Sequence, residues 1–203
     1  MIIWLMNLIM HISGLHWIKG VLKMFYMFFA DGFEEVEAIA ALDVIRRAKI
    51  EIKSVGIGEK NITGSHGITV VCDLTESEIA PSDNCEGIIL PGGMPGTENL
   101  NKSATVNEFI DYCSLNDKYL CAICAAPIVF GRKNLLSGKN AVCFPGFEDE
   151  LMGAVVADSF VCTDGKFITA KGMGSAVNFG LEIVSAVKGR EFADNLKSTL
   201  QCS

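Results

Sequence analysis

The run MFYMFF at Met24–Phe29 constrains the fold of this chain more than any other segment, because six consecutive apolar residues leave no polar side. A strand with one face in water alternates polar and apolar positions, so an unbroken run of this length belongs in the middle of a sheet covered on both faces. Residues 34–48 then place Val36, Ile39, Ala40, Val44 and Ile45 near helical spacing, with Glu35, Asp43, Arg46 and Arg47 largely opposite. That is an amphipathic helix. Strand followed by covering helix, repeated, is the signature of an α/β fold with a mostly parallel central sheet.

The rest of the chain continues the alternation. Residues 51–57 read as a strand, 61–63 and 68–71 as a hairpin around Gly64 and Gly67, and 87–90 as a short strand ending in Pro91-Gly-Gly93. Helical periodicity covers 104–115, and Tyr119–Ile123 is a buried strand. Residues 139–144, 159–163 and Phe167–Ala170 read as strands, the last two joined by the Asp164-Gly165 turn, and 175–187 and 191–200 as closing helices. Strand order is not readable at this level. No linker, repeat or low-complexity stretch divides the chain, whose 203 residues suit one domain with a substantial core.

That domain is expected over 23–203, with 1–22 as an N-terminal extension outside the core. The extension is apolar, but Asn7, His11, His16 and Lys19 interrupt it and it lacks a basic n-region and a small-residue cleavage site, so stable membrane insertion is not expected. An upstream translation start accounts for it best. An amphipathic helix binding a membrane surface or a partner is the alternative.

With 24 acidic against 17 basic residues and a net charge of −7, the chain has no basic stripe for neutralising phosphates, which argues against nucleic acid as a partner. Its eight cysteines are scattered, several within apolar runs, unlike the framework of a small secreted scaffold. A reducing, cytoplasmic location fits them.

Cys124 stands apart from the other seven. It follows the strand Tyr119–Ile123 directly and precedes a helix start at Ala125, the layout of a nucleophile elbow that lifts one side chain off the sheet's carboxyl edge. A helix N-terminus there lowers a thiol's pKa, whereas apolar packing raises it. The plain alternative is a small core hydrophobe. Two other turns fall at strand ends: Asp31-Gly-Phe-Glu-Glu-Val-Glu37 and Pro91-Gly-Gly93. Doubly wound sheets gather ligands at such ends. A buried carboxyl on the first helical turn holds its proton and can serve as acid and base, and glycine lets backbone N–H approach a ligand, so Gly93 and Ala125 are candidates to cradle an oxyanion. Glu34 and Glu35 are accounted for by charge complementarity to the helix N-terminus. Glu37, one position from the apolar face, is the one expected to turn inward.

At these residues the chain resembles the ThiJ/PfpI superfamily and, within it, the DJ-one/YajL-like branch. The resemblance runs from about Met24 to Leu200 and rests on Gly32-Phe-Glu-Glu-Val-Glu37, Asp43-Val-Ile-Arg-Arg47, Leu90-Pro-Gly-Gly93, Ala122-Ile-Cys-Ala-Ala-Pro127, and Lys171-Gly-Met-Gly-Ser175 before Asn178-Phe-Gly180. It implies a flavodoxin-like α/β/α sandwich, of the kind shared with class I glutamine amidotransferases, a homodimer, and neither cofactor nor metal. It also implies that Cys124 is the nucleophile, Glu37 its protonated partner, and Gly93 with Ala125 the oxyanion pocket. Gly92, His66 and Met173 are candidate substrate-pocket residues.

The activity implied is a cofactor-independent glyoxalase III or deglycase, acting on small aldehydes and dicarbonyls or on glycated protein. The alternative is a redox-responsive protein or holdase chaperone using oxidation of Cys124. Three departures are visible: Ala125 stands where the protease-like branch has histidine, Phe144-Pro-Gly146 where the DJ-one branch often has one, and His66 and Met173 where arginine and proline are usual. The first removes the base of a Cys-His protease. Cys121-Ala-Ile-Cys124 also matches C-x-x-C, but Cys121 falls inside the strand, which argues against thioredoxin-like exchange. Arg46 and Arg47 read as a solvated helix face, with dimer contacts as the other option.

Overall fold

The computed structural model describes residues 23–202, so the expected extension at 1–22 lies outside the described residues. In chain order the elements are β1 (Met24–Phe29), α1 (Glu35–Arg47), β2 (Ile52–Gly56), β3 (Asn61–Thr63), β4 (Thr69–Val71), β5 (Leu74–Thr75), β6 (Cys85–Leu90), α2 (Gly96–Lys102) and α3 (Ala104–Leu115). They continue with β7 (Tyr119–Ile123), α4 (Pro127–Arg132), β8 (Asn140–Ala141), β9 (Val155–Val156), β10 (Val161–Asp164), β11 (Phe167–Ala170), α5 (Ala176–Lys188) and α6 (Arg190–Thr199).

Among the described residues seven strands form the central sheet in the order β10-β11-β7-β6-β1-β2-β5, parallel except for the β10–β11 hairpin. The run at β1 lies in its interior and feeds both faces by the alternation of strand side chains. Phe25, Met27 and Phe29 pack with Ala41, Val44 and Ile45 of α1 and with Phe179 and Ile183 of α5. Tyr26 and Phe28 enter the opposite layer, with Phe109 of α3 edge-on to both rings. Gly180 allows α5 to sit tightly on α1, since a Cβ there would lie 3.0 Å from Cβ of Val44.

The chain runs from β1 outward to β2 and then returns to the other side of β1 as β6. This reversal is a switch point, where the loops leaving neighbouring strand ends diverge and open a crevice. The loops after β1, β6 and β7 carry the three turns singled out in the sequence.

Local differences from the sequence reading cluster near that crevice. Residues 139–144 are not one strand: only Asn140–Ala141 forms a ladder, with β9 and apart from the main sheet. Beyond it, the Val142 N–H donates to Oγ1 of Thr169 (3.0 Å) and the Phe144 N–H to the Cys124 carbonyl (2.8 Å), so these donors turn toward the elbow. Helix α4 begins at Pro127, after a turn through 124–126, and α2 forms directly after Pro95, in a stretch to which the sequence reading assigned no element. Among the described residues no helix is long and apolar enough to cross a membrane.

Candidate active site

Cys124 occupies the junction between β7 and α4 with φ of 64°. Few non-glycine residues adopt this left-handed conformation, which costs on the order of 1–3 kcal/mol and persists only where the surroundings enforce it. They do so here from both sides. The Cys124 N–H donates to the Ala170 carbonyl (2.8 Å), continuing the β7–β11 ladder, while its carbonyl accepts from Phe144. The side chain thereby leaves the sheet half-buried, unlike the fully buried Cys121 three residues earlier.

Glu37, on the first turn of α1, is 1% exposed. Its carboxyl lies beside the Cys124 thiol, accepts from the N–H of Gly92 (3.0 Å), and has the N–H of Met173 facing it. Burial pushes it up to about 7 and the nearby charge of Glu34 adds to this, while the thiol and the two N–H groups oppose it. For Cys124 the sequence reading expects a lowered thiol. The structure reverses this. Burial pushes the thiol up to about 12, anionic Glu37 reinforces the shift, and the N–H groups of Gly93 and Ala125 pull only partly against it. The helix that was to lower it spans only six residues and starts at Pro127, too short and displaced to outweigh a neighbouring carboxylate.

Each group is thus pushed toward its protonated form, and the two titrate as a coupled pair. A proton passed from sulfur to Glu37 would leave a thiolate facing a protonated acid and two backbone donors.

Gly92 and Gly93 bring the β6 loop against the pair. A Cβ on Gly92 would lie 2.6 Å from both Cβ of Cys124 and Oε2 of Glu37, and Gly93, at φ of 87°, would place one 2.4 Å from N of Glu34. Only glycine permits these approaches.

Glu34 caps α1, its Oε2 accepting from the Glu37 N–H (2.6 Å). Glu35 corrects the sequence reading: it is not a helix-end charge in solvent but 3% exposed. Its carboxylate accepts from the His66 N–H (2.7 Å), meets Nδ1 of His66 (2.8 Å), and receives the Ile68 N–H (3.4 Å), clasping the β3–β4 turn. Burial pushes it up, but the bonds from the His66 ring, His66 N–H and Ile68 N–H outweigh this and hold it at about 2. A sequence signal existed: Gly64 leaves no room for a side chain, since a Cβ there would lie 2.4 Å from Cδ of Glu35.

Thus the structure brings together Cys124, Glu37, Gly92, Gly93, Ala125 and the backbone of Met173. His66 is placed differently. Its side chain is 70% exposed and its hydrogen bonds run to Glu35 and Ser65, not to Cys124 or Glu37. Glu34, Glu35 and His66 are also the one group among the described residues with metal-ligand spacing, their ligand atoms within 4.8 Å of one another. The Glu35 oxygens, however, are engaged by the hairpin. Phe144, absent from the sequence-derived site, packs within 3.3 Å of the Cβ position of Gly172.

A mostly parallel α/β sheet presenting a strained cysteine beside a buried carboxyl at its switch point defines a flavodoxin-like protein with an elbow thiol. The chain belongs to the DJ-1/PfpI family, whose family model matches residues 23–186. It is 33% identical over 165 residues to protein dj-1beta of Drosophila melanogaster, covering 80% of this chain and 88% of that one. It is 30% identical over 162 residues to a deglycase of Pyrococcus abyssi, covering 78% and 96%. Protein DJ-1 homolog B of Arabidopsis thaliana, 35% identical over 164 residues (80% of this chain), is longer, and the match spans 37% of it. Among solved structures, oxidized DJ-1 of Toxoplasma gondii superposes with a TM-score of 0.85 at 28% identity, over 89% of this chain and 99% of that one.

Proposed function

We propose that the protein is a cysteine-dependent enzyme that converts reactive dicarbonyls, or the adducts they leave on amines and thiols, to hydroxy acids without a cofactor. The observation that carries this reading is the buried carboxyl of Glu37 facing the elbow thiol of Cys124, beside the N–H groups of Gly93 and Ala125. Transfer of the thiol proton to Glu37 frees the thiolate to attack the aldehyde carbon, and the S–C bond forms as the carbonyl π pair moves to oxygen. The two N–H groups stabilise that oxyanion until Glu37 hands it the proton taken from sulfur. As carboxylate, Glu37 then takes the hydrogen of the attacked carbon as a proton and returns it to the neighbouring carbonyl carbon, while the hydroxyl proton on the attacked carbon passes to the neighbouring oxygen. A thioester results, and one water cleaves it to the hydroxy acid and free thiol. With methylglyoxal the product is lactate. The deglycase of Pyrococcus abyssi supports the substrate class.

Turnover of glyoxal and methylglyoxal by chelator-treated protein, compared with Cys124→Ala, tests class and nucleophile together. Equal rates in both proteins overturn the reading. The second reading is a redox-responsive protein or holdase chaperone, favoured by the same acid–thiol pair, which would donate to a sulfinate, and by the neighbour solved in oxidized form. Stoichiometric oxidation of Cys124 without turnover selects it. A homodimer is supported by the apolar surface that Val36, Ile39 and Ile68 leave exposed on α1 and the hairpin, and a cytoplasmic location by eight free cysteines.

A further inference from the structure

A cleft of about 340 Å³ opens beside the elbow, walled by Phe144, Phe160, Lys171, Gly172 and Met173. Three contacts tie it to the reacting pair. The Phe144 N–H holds the Cys124 carbonyl at 2.8 Å, the Met173 N–H reaches the Glu37 carboxyl, and the Cβ position of Gly172 lies 3.3 Å from Cδ2 of Phe144 and 3.7 Å from Oε1 of Glu37. The backbone that positions sulfur and acid is therefore also the floor of the cleft.

Its chemistry is one-sided. Phe144, Met173 and Phe160 stand 47%, 56% and 72% exposed, three large apolar side chains gathered from separate loops. Lys171 is the lone charge among the walls, and it is already paired: Nζ lies 3.5 Å from Oδ1 of Asp158 and 5.6 Å from the ring centre of Phe160. A space of this size lined in this way takes an apolar group, and glyoxal itself has none to offer.

We propose that this cleft is the subsite for the substituent on the second carbonyl, and that the protein selects α-oxoaldehydes bearing an aryl or branched alkyl group over glyoxal. The proposal rests on the reading of Cys124 as a nucleophile toward dicarbonyls and names its substrate class. The chemistry is unchanged. Phenylglyoxal gains one water to become mandelate, with the S–C bond made at the aldehyde carbon and broken by hydrolysis, and no oxidant is consumed. Phe144 and Met173 act here as specificity-determining residues, since their side chains meet the substituent and not the reacting carbons.

The test measures kcat/KM for phenylglyoxal and glyoxal in wild type, Phe144→Ser, Met173→Ser and Phe144→Leu. The ratio of the two constants, compared between proteins, cancels the intrinsic reactivities of the aldehydes. The serine variants are expected to lower it at least tenfold, the scale on which a hydrophobic pocket discriminates a single methylene group, and Phe144→Leu to restore most of it. A second ratio, the rate of Cys124 alkylation by phenacyl bromide against iodoacetamide, reads the same cleft without turnover and is expected to fall in the same variants. Dicarbonyl turnover with neither ratio moved overturns the subsite and leaves the function standing. A moved alkylation ratio with no turnover in any protein overturns the function, and with it the selection among α-oxoaldehydes, and shows only that the cleft takes an aryl group beside the thiol. Neither turnover nor a moved ratio overturns both.

Discussion

The N–H of Gly92 donates to Oε2 of Glu37 at 3.0 Å, and a Cβ at Gly92 would lie 2.6 Å from that oxygen. Gly92 therefore sets the distance between the β6 loop and the acid. Gly92→Ala is expected to displace the Cys124 side chain as well as Glu37, since its Cβ would also lie 2.6 Å from Cβ of Cys124, and so to slow both turnover and Cys124 alkylation at least tenfold. Gly174→Ala, where a Cβ meets nothing within 4 Å, is expected to keep the melting temperature of wild type. Thermal melts and iodoacetamide labelling followed by peptide mapping measure both.

Glu37→Gln separates thiol reactivity from turnover. The anionic carboxylate is one of the causes that push the Cys124 thiol up, so an amide in its place lets the thiol ionise at lower pH and speeds alkylation at pH 8. The amide cannot relay a proton, and turnover is expected to fall by about 10²–10⁴. Single-turnover alkylation and steady-state kinetics on one preparation decide it. A parallel fall in both would assign Glu37 a merely structural part.

Stability should carry the mark of the same carboxyl. Glu37 titrates at about 7 in the folded protein against an ordinary 4.5, so the folded state binds this proton more tightly than the unfolded chain. The resulting stabilisation is fully present below pH 4.5 and is lost as pH rises through about 7, on the order of 3 kcal/mol in all. His66, raised by its bond to Glu35, titrates in the same sense, so wild type is compared with Glu37→Gln to cancel it. Between pH 5 and 8 the wild-type melting temperature should drop by on the order of 5–10 °C more than that of the variant.

Glu35 predicts the opposite slope. Held at about 2 by the hairpin's donors, it stabilises the fold above pH 4.5 and ceases to as pH falls through about 2. Glu35→Ala leaves the N–H groups of His66 and Ile68 without their acceptor and is expected to cost about 1–3 kcal/mol at pH 7. The cost should shrink at pH 3. Urea denaturation at the two pH values measures it, and a cost independent of pH would show that packing against Gly64, not charge, is what Glu35 supplies.

Much of this architecture was legible in residue order because it depends on local periodicity. The apolar run at β1, the helical spacing of α1 and the Asp164-Gly165 turn each determine an element from side chains a few positions apart, and all three elements form where the pattern places them. The strand-turn-helix layout likewise marked Cys124, and the position of Glu37 near the apolar face marked the residue that turns inward.

What the sequence could not determine is what depends on groups distant along the chain and adjacent in space. The switch point between β1 and β6 arises from strand order, which periodicity does not encode. Glu35 looked like a helix-end charge until the β3–β4 turn closed over it. The direction of the Cys124 shift is the plainest case: a helix start nearby in sequence argued for a lowered thiol, yet burial and the facing carboxyl of Glu37 outweigh it, because desolvation and charge at contact distance exceed the field of a six-residue helix. Residue order therefore singled out the candidate groups, and the tertiary structure alone decided which of them meet.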